Sequence, residues 1–251
     1  MQLSTGLWRK AAYLNHSCVP NCTRAFIGDM MLIHATCSIP AGTELTHQYT
    51  TPDEDLTLRQ KTFKTNWAFE CDCRLCATEK QSPESMQQQR RELVTKIRTE
   101  VLKAPLNTRI PTATIKHIER LTKKLEELHE PSIYASLPRL LLVHTTIWLA
   151  EAWRSHHNPV KTIKYAFEVL RNFGFVDIDV GKLELDFGRG IVNSESFNAI
   201  RYAAQAYAAV GKMEMQKLCE QEARRMFVVL TGSEVGVEEV FAKEVGIGRV
   251  E

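Results

Sequence analysis

Little in this sequence points to a membrane or to the outside of the cell. No apolar run reaches the ~18 residues that a membrane-spanning helix needs. Leu137 to Trp153 comes nearest, and Arg139, His144 and Glu151 interrupt it. Met1 to Lys10 has no apolar h-region, so nothing there has the form of a signal peptide. Charge of one sign is also missing. Lys and Arg number 32 against 30 Asp and Glu, and the formal net charge is +2. Such a balance speaks against direct nucleic-acid binding and against electrostatic attachment to a membrane. The expected location is the nucleus, the cytoplasm or both. In either place the sequons Asn15-His16-Ser17 and Asn21-Cys22-Thr23 are chance matches.

Cysteine is unevenly spread. There are seven, an odd number, and six fall in the first third of the chain. A disulfide framework belongs to oxidising compartments, whereas in a reducing one such clustering reads as metal binding. Cys71-Asp72-Cys73-Arg74-Leu75-Cys76 supplies three closely spaced thiols, one short of a closed tetrahedral zinc site. Cys18 is the expected fourth ligand. Cys22, Cys37 and Cys219 are expected to be small buried hydrophobes.

The rest of the pattern divides at about residue 78. The hydrophobic fraction of 44% is enough for a real core. Up to Thr78 the chain reads as short strands and turns. Thr23 to Ile27 and Met30 to Ala35 flank Gly28-Asp29, where Gly in the first loop position suits a type II′ hairpin. Pro40-Ala41-Gly42 is a turn signal that leads into an extended Glu44 to Tyr49, with Leu45, His47 and Tyr49 on one face. Thr51-Pro52-Asp53-Glu54 has the form of a helix start with Thr51 as cap, and that helix leads to Trp67 and Phe69. Glu79 to Gln89 is polar and holds Pro83, as in a linker or helix start.

Beyond it the pattern is helical. Leu93, Ile97 and Val101 form one stripe; Ile115, Ile118, Leu121, Leu125 and Leu128 form a second. Leu137 to Trp153 is expected to be a buried central helix. Asn158-Pro159 caps the next, with Ile163, Ala166, Phe167 and Leu170 inside and Gly174 at its end. Ser194 to Val210 and Lys212 to Leu230 make a helical hairpin about Gly211. Glu234 to Glu251, spaced by glycines, is expected to fray. His156-His157 reads as a solvated helix end, because adjacent helical positions do not share a face.

Leu14-Asn15-His16-Ser17-Cys18-Val19-Pro20-Asn21-Cys22 resembles a signature of SET-domain protein lysine methyltransferases. Gly42-Thr43-Glu44-Leu45-Thr46-His47-Gln48-Tyr49 resembles the second SET signature, and Arg59 through Cys76, with Phe69-Glu70-Cys71-Asp72-Cys73-Arg74-Leu75-Cys76, the zinc-binding post-SET tail. The likeness is to the SET-and-MYND subfamily, whose C-terminal domain is helical and tetratricopeptide-like. It implies an α+β chain. Residues 1–78 would form the C-terminal part of a SET domain with its zinc tail, and residues 79–251 a helical domain open to protein partners.

The resemblance also implies roles. Tyr49 becomes the catalytic phenol. Asn15, His16 and Phe69 become contacts of S-adenosyl-L-methionine, and Cys18, Cys71, Cys73 and Cys76 the ligands of structural zinc. Trp67 stands where many relatives have a smaller tyrosine lining the lysine channel, while Tyr13 reads as core. The substrate would be a protein lysine, with histone one candidate. The family's upstream glycine loop and its MYND finger find no match, and Gly246-Ile247-Gly248 is in the wrong place to serve. The expectation is therefore a truncated enzyme that binds the cofactor weakly or not at all. The competing expectation is a non-enzymatic interaction module, in which the helical array works and a zinc-stabilised SET remnant caps it.

Overall fold

A glycine and an aspartate set the first hairpin. The computed structural model describes residues 6–51, 54–106, 109–175 and 182–242. Strands β2 (Cys22–Ile27) and β3 (Met30–Ala35) pair antiparallel with Ile27 opposite Met30. Between them Gly28 takes φ +57 and Asp29 does not take a positive φ, the pattern expected of a II′ turn. A second, parallel pair joins β1 (Asn15–His16) to β4 (Thr46–His47), with Asn15 opposite Thr46 and His16 opposite His47. Gly42 (φ +83) closes the preceding turn, in which the Thr43 amide donates to the Pro40 carbonyl at 3.1 Å.

The extended segment is shorter than the alternation suggested. Only Thr46 and His47 are paired. Leu45 is exposed while His47 is buried, and Tyr49 sits in a bend. Tyr13, expected in the core, ends a single 3-10 turn (Ala11–Tyr13) and is 87% exposed.

Helix α1 (Leu56–Trp67) is capped by Asp55, whose carboxylate accepts from the amides of Thr57 and Leu58. Thr51 is not the cap, and Pro52 and Asp53 lie outside the described residues. Ala68, in the left-handed region at φ +58, stops the helix and turns the chain toward Phe69 and the cysteines. Helix α2 (Arg74–Lys80) follows at once, and Pro83 then opens α3 (Glu84–Leu102).

Helices α4 (Thr112–Glu127), α5 (Leu140–Ser155), α6 (Pro159–Asn172), α7 (Ser194–Ala209) and α8 (Met213–Thr231) pack as sequential neighbours. The α4 stripe is buried at Ile115, Ile118, Leu121 and Leu125. Asn158 caps α6 through the Lys161 amide, as expected, although Ile163 is only partly buried. Alanines 199, 203, 204 and 206 are buried on α7. Small side chains there let α6 and α8 come close on either side. The expectation that Glu234 to Glu251 frays is corrected over its described part, while residues 243–251 lie outside the described residues: Val237–Ala242 forms a further short helix, α9, because burying Val237 and setting Phe241 6.4 Å from Phe197 outweigh the glycine spacing. Gly246-Ile247-Gly248 lies outside the described residues.

One buried cluster runs from Cys18, Phe63 and Leu75 through α5, α6 and α7 to Phe227. Helix α8 also touches β2 and β3. No helix of the described residues is long and apolar enough to cross a membrane.

Candidate functional site

The seven-residue segment Asn15 to Asn21 is a clamp built residue by residue. The Asn21 side chain donates to the Glu44 carbonyl at 2.8 Å and accepts from the Thr46 amide at 2.9 Å, which fixes the approach to β4. Ser17 accepts from the Val19 amide and so shapes the turn at Cys18. Gln48 donates to the Cys18 carbonyl at 3.0 Å. A second amide side chain, Gln60 on α1, holds the backbone of Cys71 from both sides, donating to its carbonyl at 2.7 Å and accepting from its amide at 2.8 Å. The bonds of Ser17, Gln48 and Gln60 each anchor the backbone of a cysteine or of its neighbour.

Cys18, Cys71, Cys73 and Cys76 converge. Their four sulfurs lie within 4.8 Å of one another, and those of Cys18 and Cys76 are 3.6 Å apart. Four sulfurs at ~2.3 Å from one ion would have tetrahedron edges of about 3.8 Å. Left to themselves the thiols cannot all ionise. Cys18 is pushed far up, first by its hydrogen bond to Cys71 and then by those to Cys73 and Cys76 and by burial. Cys71 is pulled down by the same bond from Cys18, and Cys73 is lowered to about 6, again first by Cys18. A divalent cation is what allows four neighbouring thiolates to coexist. The donor set therefore fits zinc, and the four-cysteine cluster could hold it. Cys22 and Cys219 are buried as expected, but Cys37 is only partly so.

Behind the cysteines lies a pair that composition and spacing did not single out. Arg59, 2% exposed, forms a buried ion pair with Glu79, and its Nη2 also approaches the Cys76 sulfur at 3.6 Å. Burial works against the Arg59 charge, but the Glu79 carboxylate and the sulfurs more than offset it and hold its pKa above the usual range. Glu79 in turn accepts from the Tyr134 hydroxyl at 3.5 Å. Arg90 donates to that same hydroxyl and, through Nη2, to the Leu128 carbonyl at 2.6 Å. The bonded side chains are 20, 55 and 44 positions apart along the chain, so no local pattern could have revealed them.

Tyr49 packs on His16, two residues before Cys18. Its hydroxyl donates to the Leu14 carbonyl at 2.7 Å. Its ring lies 5.4 Å from His16, 5.1 Å from His47, 5.4 Å from Trp67 and 6.1 Å from Phe69. Burial raises the phenol's pKa, so it stays protonated at neutral pH. Burial also lowers the pKa of His47, whose Nδ1 is 3.0 Å from the Gln48 carbonyl. Phe69 is half-buried and stacks on Phe63 at 5.3 Å with an interplanar angle of 19°. Trp67 is 41% exposed at the rim.

Asn15 and His16 are brought to this region in different ways. Asn15 is exposed and donates to the Glu44 carboxylate at 2.6 Å. His16 is buried with Nε2 3.4 Å from the Cys18 sulfur. His156 and His157 are far from this set in role. His156 closes α5 with Nε2 2.8 Å from the Ile110 carbonyl, and His157 takes a positive φ.

Comparison with known proteins agrees with this geometry. Residues 2–50 match the SET domain family. The chain is 40% identical over 92 residues to a protein named methyltransferase from Gibberella zeae, covering 36% of this chain and 12% of that one. It is 38% identical over 78 residues to histone-lysine N-methyltransferase SMYD3 of Mus musculus, covering 31% and 18%. A similar match, 33% over 81 residues, is to protein-lysine N-methyltransferase SMYD4 of Pongo abelii, covering 32% and 10%. The matched segment thus spans less than a fifth of each of these relatives. The chain carries SET-domain sequence together with a zinc-type cysteine corner, and over about a third of its length it resembles the lysine methyltransferases of the SET-and-MYND group.

Proposed function

We propose that the protein of which this chain is part or whole transfers a methyl group to a lysine of another protein, histones included. Residues 1–78 would provide the lysine-facing half of the site, and residues 79–251 a helical unit that engages protein partners. The observation that carries this reading is the Tyr49 hydroxyl. It is anchored to the Leu14 carbonyl at 2.7 Å and walled by Trp67 and Phe69, against a four-cysteine corner.

S-adenosyl-L-methionine, when bound, supplies an electrophilic methyl on a sulfonium sulfur. A lysine Nζ lone pair would take that methyl, and the sulfonium would leave as a neutral thioether. Only a neutral amine has that lone pair, and an aromatic channel favours it by disfavouring the ammonium. Tyr49 is not the base, because its own pKa lies above the usual value. With its proton committed to Leu14, the phenol oxygen keeps lone pairs for weak C–H···O contacts to the transferring methyl. Half-buried Phe69 offers a flat apolar face suited to a purine, and the exposed Asn15 amide offers a polar group at the edge of β1. Zinc on Cys18, Cys71, Cys73 and Cys76 would fasten the tail that carries Phe69 to the segment that carries His16.

The test is transfer of a labelled methyl group to histones and to extract proteins, using protein expressed from its natural reading frame. Tyr49→Phe should cut transfer roughly 10²-fold, the scale of a lost positioning contact, while the fold survives. Transfer that is indifferent to Tyr49→Phe, or absent from the wild-type protein, overturns the proposal.

A further inference from the structure

His16 makes two hydrogen bonds whose directions fix each other. The backbone N–H of Tyr49 points to Nδ1 at 3.1 Å. An amide N–H can only donate, so Nδ1 presents its lone pair. The ring N–H is then on Nε2, which lies 3.4 Å from the Cys18 sulfur. The ring cannot turn away freely. It is buried, 4.3 Å from Phe63 and 5.4 Å from Tyr49, and its backbone is paired opposite His47 in the β1–β4 ladder. His47 offers no equivalent link, because its Nδ1 is engaged by the carbonyl of its own neighbour, Gln48.

We infer that His16 is a positioning residue, whose ring accepts the Tyr49 amide at Nδ1 and faces the Cys18 sulfur with Nε2, and so ties the placement of Tyr49 to the state of the metal corner. The inference rests on the zinc and Tyr49 readings above, and it moves His16 from a cofactor contact to a link between them. A metal-bound thiolate is a stronger acceptor than a thiol. Loading the site therefore tightens the Nε2–H···S bond and holds the ring where Nδ1 captures the Tyr49 amide. Tyr49 is then bracketed at both ends by one short stretch of chain, its amide by His16 and its hydroxyl by Leu14. Outer-sphere partners of this kind orient ligands and typically change metal affinity by about 10–100-fold when removed.

Two substitutions separate the arms of the ring. His16→Asn places an acceptor where Nδ1 stood, so it keeps the Tyr49 amide and loses the sulfur. His16→Gln places a donor where Nε2 stood, so it keeps the sulfur and loses the amide. Cobalt(II) replaces zinc as the spectroscopic probe, and Tyr49 is followed by amide hydrogen exchange. His16→Asn should shift the thiolate-to-cobalt charge-transfer band and weaken cobalt binding about 10–100-fold. His16→Gln should leave band and affinity near wild type while Tyr49 exchanges faster.

Identical cobalt spectra and affinities in the two variants overturn the inference. If neither variant folds, the wild-type zinc protein decides: histidine side-chain proton–nitrogen correlation spectra must show His16 protonated at Nε2 alone. A proton found on Nδ1 overturns it. Wild-type protein that takes up no cobalt overturns the zinc reading itself, and this inference with it. A failure of methyl transfer alone touches only the proposed activity, since none of these readouts depends on turnover.

Discussion

Removing one partner of the Arg59–Glu79 pair should be among the most damaging single changes in the chain. Both side chains are almost fully buried, at 2% and 7% exposure. Breaking a buried ion pair from one side typically costs about 3–5 kcal/mol, because the remaining charge keeps its desolvation penalty. The two singles should not be equal. Four thiolates on one zinc leave a net charge of about −2. In Glu79→Leu, Arg59 still faces that anionic corner through Cys76 at 3.6 Å and still donates to the Glu54 carbonyl at 2.6 Å. Its loss should fall at the low end of the range. In Arg59→Met, the buried Glu79 carboxylate loses its ion-pair partner and keeps the Tyr134 hydroxyl, and the loss should fall at the high end. The double replacement removes both charges and should cost less than the worse single, because well-packed apolar substitutes for a buried pair are often near neutral. Urea unfolding of the zinc-loaded protein at neutral pH, read as a double-mutant cycle, measures all three. Single losses under about 1 kcal/mol, or a double equal to the sum of the singles, would show that this pair does not hold the metal corner to the helices.

Other expectations follow from single residues. Asp55→Ala should destabilise by about 1 kcal/mol, since it removes the acceptor for the Thr57 and Leu58 amides at the start of α1; thermal unfolding checks it, and no change would mean the cap is redundant. Burial, helped by the nearby Arg90 charge, pulls the His129 pKa down to about 3, against about 6.5 in an unfolded chain. The unfolded state therefore takes up a proton that the native state refuses, and stability should fall as pH drops from about 6.5 toward 3, by up to about 1.4 kcal/mol per pH unit. His129→Gln should flatten that dependence, and an unchanged slope would refute the assignment. Cys219, held up at about 12 by burial, should resist alkylation of the native protein at pH 8, as mass spectrometry of the labelled chain would show.

What the sequence disclosed was local in origin. Three cysteines within six residues announce a metal corner because ligand spacing is a short-range requirement, and Asn158-Pro159 announces a helix because capping is too. The α4 stripe was readable because one face of that helix meets the core and the other meets water. The failures were decided by tertiary contact. Thr51 and Asp55 both offer a capping oxygen. Asp55 is buried and lies 3.6 Å from Arg91 of α3, a relation invisible from the residues around it. The strand through Tyr49 shortened to two residues because Asn21, 25 positions earlier, fixes where pairing begins. Helix α9 forms because Phe241 finds Phe197, and the Arg224–Glu238 ion pair at 2.6 Å joins it to α8. In the site, the convergence of the four cysteines was legible from their motifs. The roles of Arg59, Glu79, Gln48 and Gln60 were not, since each acts through long-range bonds that leave no periodic trace.

The most direct measurement is sulfur and zinc X-ray absorption with elemental analysis on the purified protein. One zinc per chain with four sulfur neighbours at about 2.3 Å, reduced to a fraction by Cys18→Ser, is the expected result. Zinc held with full stoichiometry in Cys18→Ser, or a shell that includes nitrogen or oxygen, would contradict it, and would free Tyr49 from the corner on which its role depends.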